Sequence, residues 1–103
     1  MVALQASVWR FRARAGKERE FESLYGPGGL WAGLFRESPH YHGTVLLRSH
    51  AGDRWYVLVD TWRSRADFEA FKVAHAAAYE GLDREGEGLT EAEEHQGWFD
   101  ELP

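Results

Sequence analysis

His75 and Tyr79 are two side chains whose types and spacing could support proton chemistry. His75 follows Phe71 by four residues and precedes Tyr79 by four, so a helix would place these rings on one face. A neutral imidazole on an apolar face can take a proton from a phenol or bind iron. The same pattern also fits a core or interface histidine with a single hydrogen bond. Both interpretations of His75 stay open at the level of sequence.

Asp60 interrupts the run WYVLVDTW, which is otherwise the most strand-like segment of the sequence. Strand alternation puts Asp60 on the same face as Leu58 and Trp62, where a carboxylate needs a partner. One interpretation makes Asp60 a base or an orienting acceptor with a raised pKa. The other is a salt bridge to Arg10 or Arg48 on a neighbouring strand, because carboxylates are rarely buried unpaired.

Aromatic residues are the most unusual feature of the composition, with five Trp, four Tyr and six Phe. Such rings bury a large area, and Trp and Tyr keep a polar tip that needs a hydrogen-bond partner. They can fill a core or a dimer interface, or they can line a ligand pocket. The rings that we expect to line a pocket for a small aromatic molecule are Trp31, Tyr41, Trp62, Phe71 and Trp98.

Metal and phosphate motifs give weaker signals. His40 and His42 form an H-x-H pair on one predicted strand face, which could hold zinc or copper with a third ligand. No third ligand can be identified, and the alternative is two exposed histidines at the start of a strand. The glycine-rich run at 26–29 matches no phosphate-binding loop, and Ser64 is expected to be a helix cap. We predict no metal site and no cofactor.

Charge and composition exclude several classes of protein. The sequence has 12 basic and 17 acidic residues, a formal net charge of -5, and no basic stripe that would bind a nucleic acid. It has no cysteine, which excludes disulfides, thiolate metal sites and cysteine nucleophiles. No apolar run has the length of a signal peptide or a membrane helix. We expect one domain at 1–103, in the cytoplasm, without nucleic-acid or membrane partners.

Periodicity along the chain predicts four strands and three helical segments. Alternating apolar residues indicate the strands, and apolar residues three and four positions apart indicate the helices. The strands are predicted at 3–13, 41–49, 54–62 and 95–101, and the helices at 17–25, 30–36 and 64–85. The run TEAE at 90–93 predicts a further helix cap.

This order of elements is the β-α-β-β-α-β pattern of ferredoxin-like α+β folds. It predicts an antiparallel sheet with the helices on one face. The strand at 54–62 is apolar on both of its sides, so the second face of the sheet also needs to be covered. A second copy of the same sheet is the simplest solution, and we therefore expect a homodimer.

Three segments of the sequence are informative together: GKEREFE at 16–22, SPHYHGTVLLR at 38–48, and YVLVDTWRS at 56–64 with the following Phe68 and Phe71. These segments resemble the antibiotic biosynthesis monooxygenase superfamily of dimeric α+β barrels. The resemblance extends over nearly the whole chain. It implies that two sheets form a barrel, with a cavity in each subunit between the sheet and its helices.

The resemblance also implies a choice of functions. Members of the superfamily oxidise aromatic polyketides with O₂ and no cofactor, others cleave haem, and many have no known activity. FKVAH at 71–75 is similar to the helix that carries the iron-ligating histidine of the haem-degrading members. We predict a cofactor-independent monooxygenase for a small aromatic or quinol-type substrate, with His75, Asp60 and Tyr79 as catalytic candidates. The alternatives are a non-catalytic dimeric ligand-binding or interaction module and a haem-binding or haem-degrading protein.

Overall fold

A computed structural model describes residues 3–103, so the first two residues of the predicted domain 1–103 lie outside it. The helices and strands follow the predicted order, with one helix more than expected. They are β1 (Gln5–Ala13), α1 (Glu18–Tyr25), α2 (Leu30–Phe35), β2 (Tyr41–Arg48), β3 (Trp55–Trp62), α3 (Arg65–Ala74), α4 (Ala76–Glu87) and β4 (Thr90–Asp100). No helix within 3–103 is long and apolar enough to cross a membrane.

The four strands form one antiparallel sheet in the order β2-β3-β1-β4. β1 and β3 are central, and β2 and β4 are the edge strands. Helices connect β1 to β2 and β3 to β4, which is the ferredoxin-like arrangement. The structure confirms the predicted fold class.

One face of the sheet packs against the helices and forms the core. Burial in β3 alternates residue by residue, as expected for a strand with a single buried face. The buried residues of β3 are Tyr56, Leu58, Asp60 and Trp62. The opposite, outer face is half-buried or exposed, and Val45 and Leu47 of β2 are 52% and 55% exposed there.

The glycine-rich run at 26–29 makes the tight turn that joins α1 to α2. The N–H of Gly26 donates to the carbonyl oxygen of Glu22 at 2.8 Å and ends α1. A Cβ at Gly29 would lie 2.6 Å from the carbonyl oxygen of Ser23, so the backbone passes too closely for any other residue. The turn places Tyr25 beside Trp31, with ring centroids 6.5 Å apart.

The prediction of one continuous helix over 64–85 is wrong. The helix is interrupted at His75, whose φ of -117° and ψ of 30° are not helical, and α4 begins at the next residue. The imidazole Nδ1 lies 3.1 Å from the carbonyl oxygen of Phe71, which also accepts the backbone N–H of His75. Side-chain hydrogen bonding to the preceding turn competes with the regular helical ladder.

The prediction of a helix cap at 90–93 and a short final strand is also wrong. The Thr90 hydroxyl donates to Glu93 Oε1 at 3.2 Å, but no helix follows it. Instead β4 begins at Thr90 and pairs with β1 along its length, with two bulges. Pairing with a distant strand has overridden the local cap signal.

Candidate functional site

A cavity of about 90 Å³ lies between the core face of the sheet and the helices. β1 and β3 form its floor, and residues from all four helices and from β4 complete its walls. Most of the lining is aromatic. These rings are Trp9, Tyr25, Trp31, Phe35, Trp62 and Phe68, together with Phe11 and Tyr79.

Asp60 is the buried carboxyl group of this cavity, with only 9% of the residue exposed. Its Oδ1 accepts a hydrogen bond from the Thr44 hydroxyl at 2.5 Å. The alternative of a salt bridge to Arg10 or Arg48 is wrong. Arg10 pairs with Glu94 at 3.1 Å, and Arg48 pairs with a carboxylate of α1.

Burial raises the pKa of Asp60 from 3.8 to about 6, although the hydrogen bond from Thr44 acts in the opposite direction. The main cause is the loss of water around the charged form. A carboxyl group with this pKa is ionised at neutral pH but is a stronger proton acceptor than an exposed aspartate. Asp60 therefore has the properties of a general base in an apolar site.

Tyr79 lies on α4 and is half-buried in the wall of the cavity. Burial raises the pKa of its hydroxyl to about 12, and the negative charge of Asp83 acts in the same direction. At neutral pH the hydroxyl is therefore protonated and can donate a hydrogen bond. Its ring packs edge-to-face against the ring of Trp31, with ring centroids 4.7 Å apart.

Trp62 lies at the end of β3 and is completely buried. Its ring packs against the rings of Phe35 and Phe68, with centroid distances of 5.2 Å and 5.4 Å. Within residues 3–103 its indole N–H has no hydrogen-bond acceptor. A buried indole N–H normally has a partner, so a water molecule or a ligand oxygen in the cavity would satisfy this one.

Four polar residues of the cavity were not predicted from the sequence: Ser7, Tyr25, Asp83 and Glu93. Ser7 pairs directly with Asp60 across β1 and β3, and its hydroxyl lies 3.1 Å from His95 Nε2. The alternation of β1 could have identified Ser7, since it precedes Trp9 by two residues on the same face. Glu93 could not have been identified, because its position depends on the pairing of β4 with β1.

Of the predicted site residues, the cavity brings together Asp60, Tyr79, Trp31 and Trp62. The other four do not line it. His75 stacks on Phe71, with ring centroids 4.1 Å apart. Tyr41 lies in a separate groove beside β2, and Trp98 packs against Phe68 of the cavity wall, with ring centroids 5.4 Å apart.

The two histidines of the H-x-H pair do not share a regular strand face. His40 precedes β2, and His42 is an exposed residue at a bulge where β2 and β3 shift register. No group of three His, Cys, Asp or Glu side chains in the described part of the chain could hold a metal ion.

The fold and the cavity define a class: a ferredoxin-like α+β protein with an aromatic pocket that contains one buried carboxyl group. Comparison with protein families then identifies the group to which it belongs. The sequence model of the antibiotic biosynthesis monooxygenase family matches residues 5–78, which is more than half of the chain. This chain is therefore a member of the antibiotic biosynthesis monooxygenase family.

Solved structures show the same fold. SnoaB, a cofactor-independent oxygenase from Streptomyces nogalater, is 25% identical, with a TM-score of 0.67 over 98% of this chain and 95% of SnoaB. A candidate antibiotic biosynthesis monooxygenase from Bordetella bronchiseptica is 19% identical, with a TM-score of 0.76 over 98% and 99%. PA3566 from Pseudomonas aeruginosa is 14% identical, with a TM-score of 0.69 over 100% and 97%. Among curated protein sequences, none matches this chain.

Proposed function

We propose that this protein is a cofactor-independent monooxygenase that oxidises a small phenol or quinol with O₂. Membership of the family and similarity to SnoaB support an oxygenase. The observation that carries the proposal is the position of Asp60, a buried carboxyl group with a pKa of about 6 in an aromatic cavity. An electron-rich phenol reacts with O₂ through its anion, and the protein must supply a base that forms this anion away from water.

Asp60 is the proposed base. Proton transfer from a phenol to its carboxylate moves one negative charge to the ligand without changing the net charge of the cavity. The phenolate then gives one electron to O₂, and the phenoxyl radical and superoxide combine with formation of a C–O bond. The peroxide takes the proton back from Asp60, and loss of water then leaves a quinone, so that one phenol or quinol with a free ortho or para position and one O₂ give one quinone and one H₂O.

Tyr79 and Trp62 would hold the oxygen atoms of the ligand. The Tyr79 hydroxyl is protonated at neutral pH because burial raises its pKa to about 12. The Trp62 indole N–H has no acceptor within residues 3–103. Two donors near a developing phenolate lower its energy, because such hydrogen bonds are stronger where water is excluded.

The size and charge of the cavity support a small, neutral substrate. A volume of about 90 Å³ is below the roughly 300–1,000 Å³ of typical ligand pockets, so a single ring is the best match. Asp60, Asp83 and Glu93 line the cavity, whereas no Lys, Arg or His in the described part of the chain does. A carboxylated substrate would meet three like charges, and we therefore propose phenols and quinols without an acidic substituent.

Oxygen uptake by the protein as purified, without added cofactor, tests this proposal. The panel contains hydroquinones, naphthols and matched hydroxybenzoates, and product quinones are followed by absorbance. We expect turnover of neutral phenols and a loss of roughly 10²-fold in kcat/KM on Asp60→Asn. Saturable binding of the phenols without any oxygen uptake would instead favour the non-catalytic binding module.

We also propose that two copies of the chain pair through the outer face of the sheet. Val45, Leu47 and Phe99 are 52%, 55% and 50% exposed on this face. Exposed apolar side chains on a continuous sheet surface are typical of an interface. Sedimentation equilibrium is expected to give a dimer, and Leu47→Glu is expected to weaken it. A monomeric wild type would contradict the pairing.

A further inference from the structure

Asp60 has the cavity on one side. On its other side, toward the edge strand β2, Tyr41 and Thr44 line an open groove. Neither of these residues lines the cavity. The Thr44 hydroxyl contacts Asp60 Oδ1 at 2.5 Å and the Tyr41 hydroxyl at 2.5 Å. The three side chains therefore form a continuous hydrogen-bonded chain from the groove to the buried carboxyl group.

A bulge in β2 makes this chain possible. In a regular strand, residues 41 and 44 would point to opposite faces, because side chains alternate. Here the register shifts between Tyr41 and Gly43, so that Tyr41 pairs with Trp62 and Thr44 pairs with Asp60. Both partners are on the core face of β3, and the extra residue brings both hydroxyl groups to that face. Gly43 permits the bulge with a φ of 134°.

The directions of these hydrogen bonds follow from the number of available protons. An ionised carboxylate can only accept, so the Thr44 hydroxyl donates its single proton to Asp60. Thr44 then has only lone pairs to offer Tyr41, and the Tyr41 hydroxyl must be the donor in their contact. Each donor in the chain is thus oriented toward Asp60.

We propose that Thr44, held by Tyr41, is a positioning residue that reserves Asp60 Oδ1 as an acceptor and leaves Oδ2 to take the proton of the ligand. This inference rests on the proposed role of Asp60 as the base. In the described part of the chain, Thr44 is the only side chain that hydrogen-bonds to Asp60. Protonation at Oδ1 would require Thr44 and Tyr41 to turn their hydroxyl groups, whereas protonation at Oδ2 leaves the chain intact.

The other titratable groups that line the cavity with Asp60 belong to the helices and to β4. They are Tyr25 of α1, Tyr79 and Asp83 of α4, and Glu93 of β4, while β1 contributes Ser7 with its partner His95. Burial and the Thr44 hydrogen bond are the two resolved influences on the pKa of Asp60, and they act in opposite directions. Removal of the Thr44 hydroxyl is therefore expected to make Asp60 harder to ionise.

The test compares Thr44→Val, which removes the hydroxyl, with Thr44→Ser, which keeps it, and with Tyr41→Phe. The titration of Asp60 is followed by carboxyl ¹³C NMR. We expect the midpoint to move to higher pH in Thr44→Val, to move less in Tyr41→Phe, and to be close to wild type in Thr44→Ser. Thr61→Val is the matched control, because Thr61 follows Asp60 on β3 and lies on the outer face of the sheet.

Oxygen uptake on a neutral hydroquinone gives the second readout. In Thr44→Val, kcat/KM is expected to fall on the order of tenfold at pH 6 and to recover at higher pH. A purely structural defect would lower the rate equally at every pH. An unchanged Asp60 titration in folded Thr44→Val would overturn the inference, whatever the activity. If the wild type takes up no oxygen, the proposed function fails, and the NMR titration alone decides the role of Thr44.

Discussion

Replacement of Asp60 by asparagine is expected to stabilise the protein at neutral pH while it removes the proposed base. Asparagine has nearly the same shape, stays neutral, and can still accept the hydrogen bond from Thr44. Aspartate must carry a charge in a site where only 9% of the residue is exposed. Functional groups kept in unfavourable surroundings commonly reduce stability in this way.

The magnitude follows from the pKa of Asp60. Folding raises it from 3.8 to about 6. At about 1.4 kcal/mol per pKa unit, the fully developed effect is about 3 kcal/mol. Below pH 3.8 the carboxyl group is neutral in both the folded and the unfolded chain, so the free energies of unfolding of wild type and variant differ little. As the pH rises from about 4 to 6 the unfolded chain ionises first, so the wild type loses stability relative to the variant, and the difference is constant above this range.

Urea unfolding of both proteins at pH 4 and pH 8, followed by tryptophan fluorescence, measures this difference. We expect Asp60→Asn to be more stable by about 3 kcal/mol at pH 8 and by less than about 1 kcal/mol at pH 4. Asp100→Asn is the control, because Asp100 is an exposed aspartate on β4. Equal stability of wild type and Asp60→Asn at both pH values would refute the reasoning that burial raises this pKa.

Further predictions concern the helices around the cavity. Gly86→Ala places a Cβ 2.5 Å from the Tyr25 hydroxyl and should lower the free energy of unfolding by about 1–2 kcal/mol in urea. Gly81→Ala in the same helix meets nothing within 4 Å and should be neutral or stabilising. Ser64→Ala removes the acceptor that caps α3, at a cost of about 1 kcal/mol in the same assay. Hemin is expected to give no saturable Soret change, because His75 does not line the cavity, and a change lost in His75→Ala would contradict this.

Local patterns in the sequence determined the types and order of most elements and the burial of Asp60. Alternation in WYVLVDTW depends only on neighbouring residues, so it predicted which side chains of β3 face the core. The order of strands and helices then limited the topology to a ferredoxin-like sheet. Aromatic content indicated a pocket, and Trp31, Trp62 and Tyr79 line the same cavity as Asp60.

Tertiary structure decided which side chains meet. The helix is interrupted at His75, and His75 does not line the cavity; helical periodicity could show neither. The contact of Thr44 with Asp60 depends on the register of β2 against β3 and on one bulge, which places Tyr41 and Thr44 on the same face. Register and bulges are fixed by hydrogen bonds between residues far apart in the chain, and this is why local sequence patterns did not contain them.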